Sequence, residues 1–173
     1  MVTADDVREA LRSVPDPEMP ISIVDLGIVH DVRIVPAGDG QRVEVDLIPT
    51  FVGCPALDLI EQNVRRRLLA MAPVREVAVR FLNAPAWSAE RISAAGRESL
   101  REHGVSVPER GTCGGGAAAA TLVPLTVAES QPVACPYCGS GRTQRESMFG
   151  PTRCRMIYYC NACRNSFERI KSP

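Results

Sequence analysis

The sequence predicts an α+β protein: a small mixed-sheet α/β-sandwich domain at residues 1–108, followed by a β-rich ribbon at residues 132–173. Helical and strand periodicities alternate in the first part, and two Cys-x-x-Cys pairs lie near the C-terminus. Between them, Gly- and Ala-rich residues 109–131 are predicted to be a flexible linker.

Composition narrows the class of protein. Of the 173 residues, 45% are hydrophobic and 23% are charged, which is typical of a globular chain and excludes a wholly disordered or coiled-coil protein. No apolar run approaches the ~18 residues of a membrane span, and the acidic, polar N-terminus does not resemble a signal peptide. We therefore expect a cytoplasmic protein with no membrane association.

Charge is spread unevenly along the chain. Residues 1–111 carry 13 Arg against 17 Asp and Glu, whereas residues 132–173 carry six Arg and one Lys against two Glu. A basic ribbon is compatible with an anionic partner or with a solvated surface. The solvated surface is favoured because several aromatic side chains do not interleave the basic residues, as they would in a single-strand binder, so nucleic-acid binding is not expected.

The N-terminal elements follow from caps, prolines and alternation. Thr3 is positioned to cap a first helix, whose apolar face is Val7, Ala10, Leu11 and Val14. A proline-rich loop at 15–20 then ends this helix. Residues 28–35 and 42–48 read as two strands joined by a Pro-Ala-Gly-Asp-Gly turn.

A strand-helix-strand unit is predicted next. The helix begins at Pro55 and runs to about Met71, and residues 74–82 alternate as a strand. Residues 42–48 and 74–82 should therefore pair in parallel through a right-handed crossover. A last helix is predicted from Ser88 to Gly104.

Four cysteines near the C-terminus have the spacing of a metal site. Two Cys-x-x-Cys knuckles, with 21 residues between them, bring four thiolates within reach of one tetrahedral ion, and sulfur ligands select zinc or iron (Cys135, Cys138, Cys160 and Cys163). Short strands between the knuckles indicate a zinc ribbon. A thioredoxin-like redox role is the alternative, although neither knuckle lies in a strand-to-helix turn.

Cys54 is a second candidate site. It lies at a predicted helix N-terminus, whose positive end favours a thiolate, and a thiolate there is a nucleophile or a soft metal ligand. If they fold nearby, Thr50, Asp16 and Glu18 would supply a hydroxyl and two carboxylates. The alternative is an inert, buried cysteine.

Other thiols and imidazoles give weaker signals. Cys154 reads as a small strand residue, and Cys113 reads as an incidental thiol of the linker, unless it completes a cluster held by Cys54. Neither His30 nor His103 has a spacing in the sequence that relates it to Cys54, which argues against a catalytic triad.

Three motifs resemble the SufT-like metal–sulfur cluster assembly domains: Asp-Pro-Glu-Met-Pro at 16–20, Asp-Leu-Gly at 25–27, and Thr-Phe-Val-Gly-Cys-Pro at 50–55. With Pro-Ala-Trp-Ser at 85–88, residues 101–108 and the double knuckle, almost the whole chain resembles the PaaD family. The resemblance implies a non-enzymatic role in phenylacetate degradation. PaaD-like proteins are thought to help build the metal centres of phenylacetyl-CoA epoxidase.

The resemblance also implies site residues and partners. Asp16, Glu18, Thr50 and Cys54 match the cluster or metal transfer site of the family, and the four knuckle cysteines match its zinc ligands. Implied partners are the oxygenase and reductase subunits of the epoxidase, which hold a di-iron site and an iron–sulfur cluster.

Three functions stay open at this point. The first is a maturation factor that holds iron or an iron–sulfur cluster transiently through Cys54 and docks on clients through the ribbon. Since one thiolate is too few for a stable cluster, a homodimer would share it. The second is a scaffold subunit of the oxygenase in which Cys54 is merely packed, and the third is a nucleic-acid-binding ribbon.

Overall fold

The computed structural model describes residues 1–111 and 132–171. It contains a three-stranded sheet with order β1-β2-β3 and a four-stranded sheet with order β4-β7-β6-β5. The helices are α1 (Ala4–Leu11), α2 (Leu57–Leu69) and α3 (Ala94–Glu102), and the strands are β1 (Val29–Ala37), β2 (Gly40–Leu47), β3 (Val74–Phe81), β4 (Val105–Ser106), β5 (Thr143–Ser147), β6 (Arg155–Cys160) and β7 (Ser166–Ile170). The α+β class predicted from the sequence is thus confirmed. Within the described ranges, no helix has both the length and the apolar character needed to cross a membrane.

The first sheet has the topology that the sequence predicts. β1 and β2 form an antiparallel hairpin, and β3 pairs with β2 in parallel after the α2 crossover. Helix α1 begins with a capping box between Thr3 and Asp6 and packs against β1 and α2. The fully buried side chains between the sheet and the helices include Leu11, Leu47, Ile60 and Leu68.

β2 shows why its sequence alternates. Val43, Val45 and Leu47 are fully buried on the helix side. On the other face the Asp46 carboxylate receives hydrogen bonds from Arg80 and Arg33, on the two neighbouring strands. These bonds lower the pKa of Asp46 although burial opposes them, so the carboxylate ties the three strands together.

The last predicted helix is broken in the structure. A short 3-10 helix at Ala89–Arg91 precedes Ile92, which is extended and fully buried, and α3 begins only after Ser93. The Ser93 hydroxyl caps α3 at the Gly96 N–H and also donates to Asp25, which fixes the break. The prediction of one continuous helix from Ser88 was wrong because the buried Ile92 and the second cap outweigh helix continuity.

The ribbon packs directly against the N-terminal part of the chain. β4, a strand not predicted from the sequence, pairs in parallel with β7. Ile170 and Cys154 lie in the same apolar core as α1 and α2. The Arg155 guanidinium donates to the main-chain carbonyl of Glu18 at 3.0 Å. The two sheets therefore share one interface, whereas most of the predicted linker, with Cys113, lies outside the described residues.

Candidate metal centre and thiol site

Four thiols converge at one end of the ribbon. Cys135 and Cys138 precede β5, Cys160 ends β6, and Cys163 lies in the turn before β7. Their sulfur atoms all lie within 4.8 Å of one another, and the Cys135–Cys163 and Cys138–Cys160 pairs are 3.7 Å apart. A tetrahedral ion with metal–sulfur bonds of ~2.3 Å places its ligands about 3.8 Å apart. The four cysteines therefore fit a bound metal ion.

Both knuckles are closed by left-handed residues. Gly139 has φ of 72° and donates its N–H to the Cys135 carbonyl, and Arg164 has φ of 61° and donates to the Cys160 carbonyl. Burial and the neighbouring thiols raise the pKa of Cys135 and Cys138, whereas the main-chain N–H groups of Cys163 and Ala162, together with the neighbouring thiols of Cys163 and Cys138, lower the pKa of Cys160. Donors of this kind stabilise the thiolate form that binds a metal.

Cys54 lies in the loop between β2 and α2. Its N–H donates to the carbonyl of Phe51, and its thiol donates to a carboxylate oxygen of Glu18. Helix α2 begins at Leu57, two residues later than the Pro55 start that the sequence predicts. Cys54 is consequently outside the helix, with its side chain partly buried against the core.

The proline-rich loop brings carboxylates to Cys54. The Asp16 carboxylate accepts the N–H groups of Glu18 and Met19, both at 2.9 Å, and so fixes the turn. Glu18 then points one carboxylate oxygen at the Cys54 sulfur, 4.0 Å away. Residues 36 positions apart in the sequence are thereby brought into contact.

The surroundings of Cys54 favour a neutral thiol. Burial raises the pKa of Cys54, the Ala56 N–H opposes this, and the charges of Glu18, Asp16 and Cys154 raise the pKa further. The expectation that a helix terminus favours the thiolate here was wrong, because like charges and burial outweigh one N–H donor. A cationic ligand would reverse this balance, since it attracts both the thiolate and the carboxylates.

Thr50 is placed differently from the other three predicted residues. It lies half-buried in a shallow depression with Phe51, Leu82 and Trp87. Among the described residues it makes no hydrogen bond to Cys54.

Cys154 was predicted to be a small strand residue, but it lies in the turn immediately before β6. It is 6% exposed, and its sulfur lies 3.2 Å from the Thr152 hydroxyl. Its position in the ribbon gives no spacing relation to Cys54, and it is buried in the apolar core against which Cys54 packs. No signal in the sequence alone would have found this burial.

Comparison with known proteins gives separate family matches for the N-terminal region and for the ribbon. Residues 4–80 match the family model "Iron-sulfur cluster assembly protein", and residues 121–171 match "PaaD zinc beta ribbon domain". Over 96% of its length the chain is 33% identical to an Escherichia coli protein named for a subunit of 1,2-phenylacetyl-CoA epoxidase, and it covers 91% of that protein. The chain belongs to the PaaD family.

Several relatives of the N-terminal region of this PaaD-family chain are named as auxiliary factors of iron–sulfur protein maturation. A Staphylococcus aureus protein named "Fe-S protein maturation auxiliary factor SufT" is 30% identical over 49% of this chain and 93% of its own length. The crystal structure of a DUF59 domain from Bacillus anthracis superposes with a TM-score of 0.51 at 32% identity, covering 56% of this chain and 90% of that one. The N-terminal region therefore has the DUF59 fold.

The Asp-Leu-Gly motif of this PaaD-family chain has a structural role. Asp25 accepts hydrogen bonds from the hydroxyls of Ser22 and Ser93 and from Arg12. Burial opposes the charge of Asp25, but these donors and the Arg12 cation lower its pKa overall. The motif thus joins α1 to the start of α3 and is not part of the Cys54 site.

Substituting Glu18→Gln is expected to make Cys54 react faster. Removing the carboxylate charge beside the sulfur lowers the pKa of Cys54, so its thiolate fraction near pH 7.5, and its rate of alkylation, should rise several-fold. The rate of iodoacetamide labelling at Cys54, followed by peptide mass spectrometry on metal-loaded protein, measures this. Glu9→Gln, which removes an exposed carboxylate paired with Arg12, is the matched control. Equal rates in the two variants would contradict the assigned contact.

Proposed function

We propose that this PaaD-family protein is a non-enzymatic maturation factor, in which Cys54 holds iron or an iron–sulfur cluster before its delivery to a phenylacetyl-CoA epoxidase. The observation that carries the proposal is the contact of Cys54 with Glu18, in a region that matches an iron–sulfur assembly family. The names of the Escherichia coli and Staphylococcus aureus relatives support the client and the activity respectively.

The openness of the Cys54 site supports a transfer role. Among the described residues, only the four ribbon cysteines bring three or more ligand atoms within 4.8 Å of one another. The ribbon site is closed, which is typical of a structural metal, and we propose that this metal is zinc. The Cys54 site is incomplete and partly exposed. An incomplete ligand set binds its cargo less tightly and leaves coordination positions free for a client's ligands.

A surface beside Cys54 supports docking on a client. Phe51 and Phe149 are exposed aromatic rings, and cations lie near both: Arg153 at 5.9 Å and Lys171 at 5.5 Å from the ring centroids. Lys171 also donates to the carbonyl of Arg153, which makes the surface continuous across the loop and the ribbon. Exposed aromatic rings with adjacent cations suit an apolar, acidic client surface.

Substituting Cys54→Ser in the host cell tests the maturation role. We expect the epoxidase to accumulate at its usual level but to contain several-fold less iron, because the carrier thiolate is absent. Iron per purified oxygenase and reductase subunit is the measurement, and Glu9→Gln, which changes an exposed side chain of α1, serves as the control. Unchanged iron in both subunits would refute the proposal.

A scaffold role is the second candidate, and the same exposed aromatic surface favours it. A scaffold would stay bound to the oxygenase through purification at constant stoichiometry, and Cys54→Ser would alter neither binding nor metal content. Nucleic-acid binding has less support. Arg155 pairs with Glu168 and donates to the Glu18 carbonyl, and Arg153 packs on Phe51, so these ribbon cations are engaged within the protein.

A further inference from the structure

We propose that Arg155 of the ribbon is a positioning residue of the Cys54 site, because it fixes the proline-rich loop so that the Glu18 carboxylate faces the thiol. This inference rests on the proposed function and deepens it. The ribbon then helps to build the transfer site of the N-terminal domain, in addition to carrying its own metal centre.

Arg155 is a buried cation whose direction is set inside the ribbon. The residue is 8% exposed. Its guanidinium donates to the Thr152 hydroxyl at 2.8 Å and pairs with the Glu168 carboxylate of β7. The remaining nitrogen donates to the main-chain carbonyl of Glu18 at 3.0 Å. Since a guanidinium is a rigid planar fork, the two bonds within the ribbon fix the direction of the third, which leaves the ribbon and reaches the N-terminal domain.

Burial makes this third bond persistent. Each nitrogen of the Arg155 guanidinium has a partner. Releasing the Glu18 carbonyl would leave a buried, charged donor without an acceptor, which costs more free energy than an exposed hydrogen bond contributes. The bond to Glu18 therefore stays formed while the ribbon is docked.

The main chain at Glu18 is held on both sides. Its N–H donates to the Asp16 carboxylate at 2.9 Å, within the loop, and its carbonyl accepts from Arg155, in the ribbon. With both peptide groups fixed, the side chain leaves the main chain in a set direction, and a carboxylate oxygen lies 4.0 Å from the Cys54 sulfur. A thiol and a carboxylate held in place by their surroundings form a preorganised pair for an arriving cation.

β6 connects this contact to the metal centre of the ribbon. Arg155 is the first residue of the strand and Cys160 is the last, which places them roughly 17 Å apart at ~3.3 Å per residue. A metal that stabilises the ribbon therefore also supports the position of Glu18.

A double-mutant cycle in full-length, zinc-loaded protein tests the assignment. Arg155→Lys keeps the positive charge but lacks the fork that binds three partners at once. We expect it to raise the rate of iodoacetamide labelling at Cys54 several-fold in a chain that has Glu18, because the carboxylate no longer lies beside the thiol. In a Glu18→Gln chain the same substitution should change the rate by less than about two-fold, because no carboxylate is left to misplace.

Two further variants and a fold check complete the cycle. Arg145→Lys changes an exposed arginine of β5 and should label as wild type does. Glu168→Gln removes the ion pair that orients Arg155 and should act in the same direction as Arg155→Lys. Zinc content and thermal unfolding report whether the ribbon is intact in each variant.

Two results would overturn the inference. Equal acceleration by Arg155→Lys with and without Glu18 would mean that the substitution loosens the structure in general. An unchanged rate in both Arg155→Lys and Glu168→Gln would mean that Glu18 keeps its place without the ribbon. The carrier function is decided separately, by the iron content of the epoxidase in Cys54→Ser cells, so either idea can fail without the other.

Discussion

A Cys160→Ser variant is expected to lose the ribbon metal and, with it, the fold of the ribbon. Cys160 is fully buried, and its sulfur lies 3.7 Å from that of Cys138 within the cluster of four thiols. The separate apolar cluster of the ribbon is small, since Val133, Tyr158 and Phe167 are its buried side chains other than cysteines. Structural zinc contributes an apparent ~10–16 kcal/mol of binding free energy in peptides of comparable design. Burial of these three side chains is too small a contribution to keep the ribbon folded once the free energy of metal binding is lost.

Zinc per chain, measured by mass spectrometry after dialysis, and hydrogen exchange across β5 to β7 are the readouts. We expect zinc near zero and loss of exchange protection in all three strands, with β1 to β3 still protected. Zinc in the wild type should also fall as pH is lowered, because protons compete with the metal for the thiolates. A Cys113→Ser control should keep its zinc. Full zinc occupancy in Cys160→Ser would mean that Cys160 is not a ligand.

A Gly27→Ala variant is expected to lose about 3–5 kcal/mol of unfolding free energy. Gly27 has φ of 75°, in the left-handed region, and an added Cβ would lie 2.5 Å from both the Cβ and the carbonyl oxygen of Arg91. Arg91 is held there because its guanidinium donates to the Gly27 carbonyl. A main-chain atom at 2.5 Å does not move aside without shifting the 3-10 helix.

Gly38 offers a matched control for the two contributions. It also has positive φ, 57°, but an added Cβ would meet no atom within 4 Å. Gly38→Ala should therefore cost only the left-handed strain, ~1–2 kcal/mol. Urea unfolding of both variants separates backbone strain from the clash. Equal losses in the two variants would exclude the clash with Arg91 as a cause.

The sequence predicts local structure well where periodicity and caps agree. Thr3 caps α1, the β1–β2 hairpin and the parallel β2–β3 pair have the predicted arrangement, and Gly104 ends α3 with φ of 74°. The break at Ile92 was missed because Ser88 and Ser93 are both good caps and both are used: Ser88 caps the 3-10 helix and Ser93 caps α3. β4 was not predicted because a strand of two residues is too short to show the alternation of buried and exposed side chains.

The two thiol sites differ in how far sequence reasoning reaches. The ribbon cysteines are recognisable from the sequence because each Cys-x-x-Cys spacing is typical of a pair of metal ligands. The structure brings the four sulfurs together. The Cys54 site depends on contacts of long range: Glu18 is 36 residues away, and Arg155 reaches Glu18 across 137 residues. Motif resemblance selected Asp16 and Glu18, but no pattern predicts that Cys154 is buried in the N-terminal core.

The pairing of β4 with β7 has a consequence for residues 112–131, which connect the N-terminal region to the ribbon. Val105 and Ser106 of β4 pair with Glu168 and Arg169 of β7, which fixes the ribbon to the segment that follows α3. Residues 112–131 therefore connect two ends of the chain whose relative positions this pairing already fixes. Closure entropy grows slowly with length, by about 0.6 kcal/mol for each doubling. Insertions or deletions between residues 112 and 131 should therefore be tolerated in evolution and in engineering, with little change in how the two units meet.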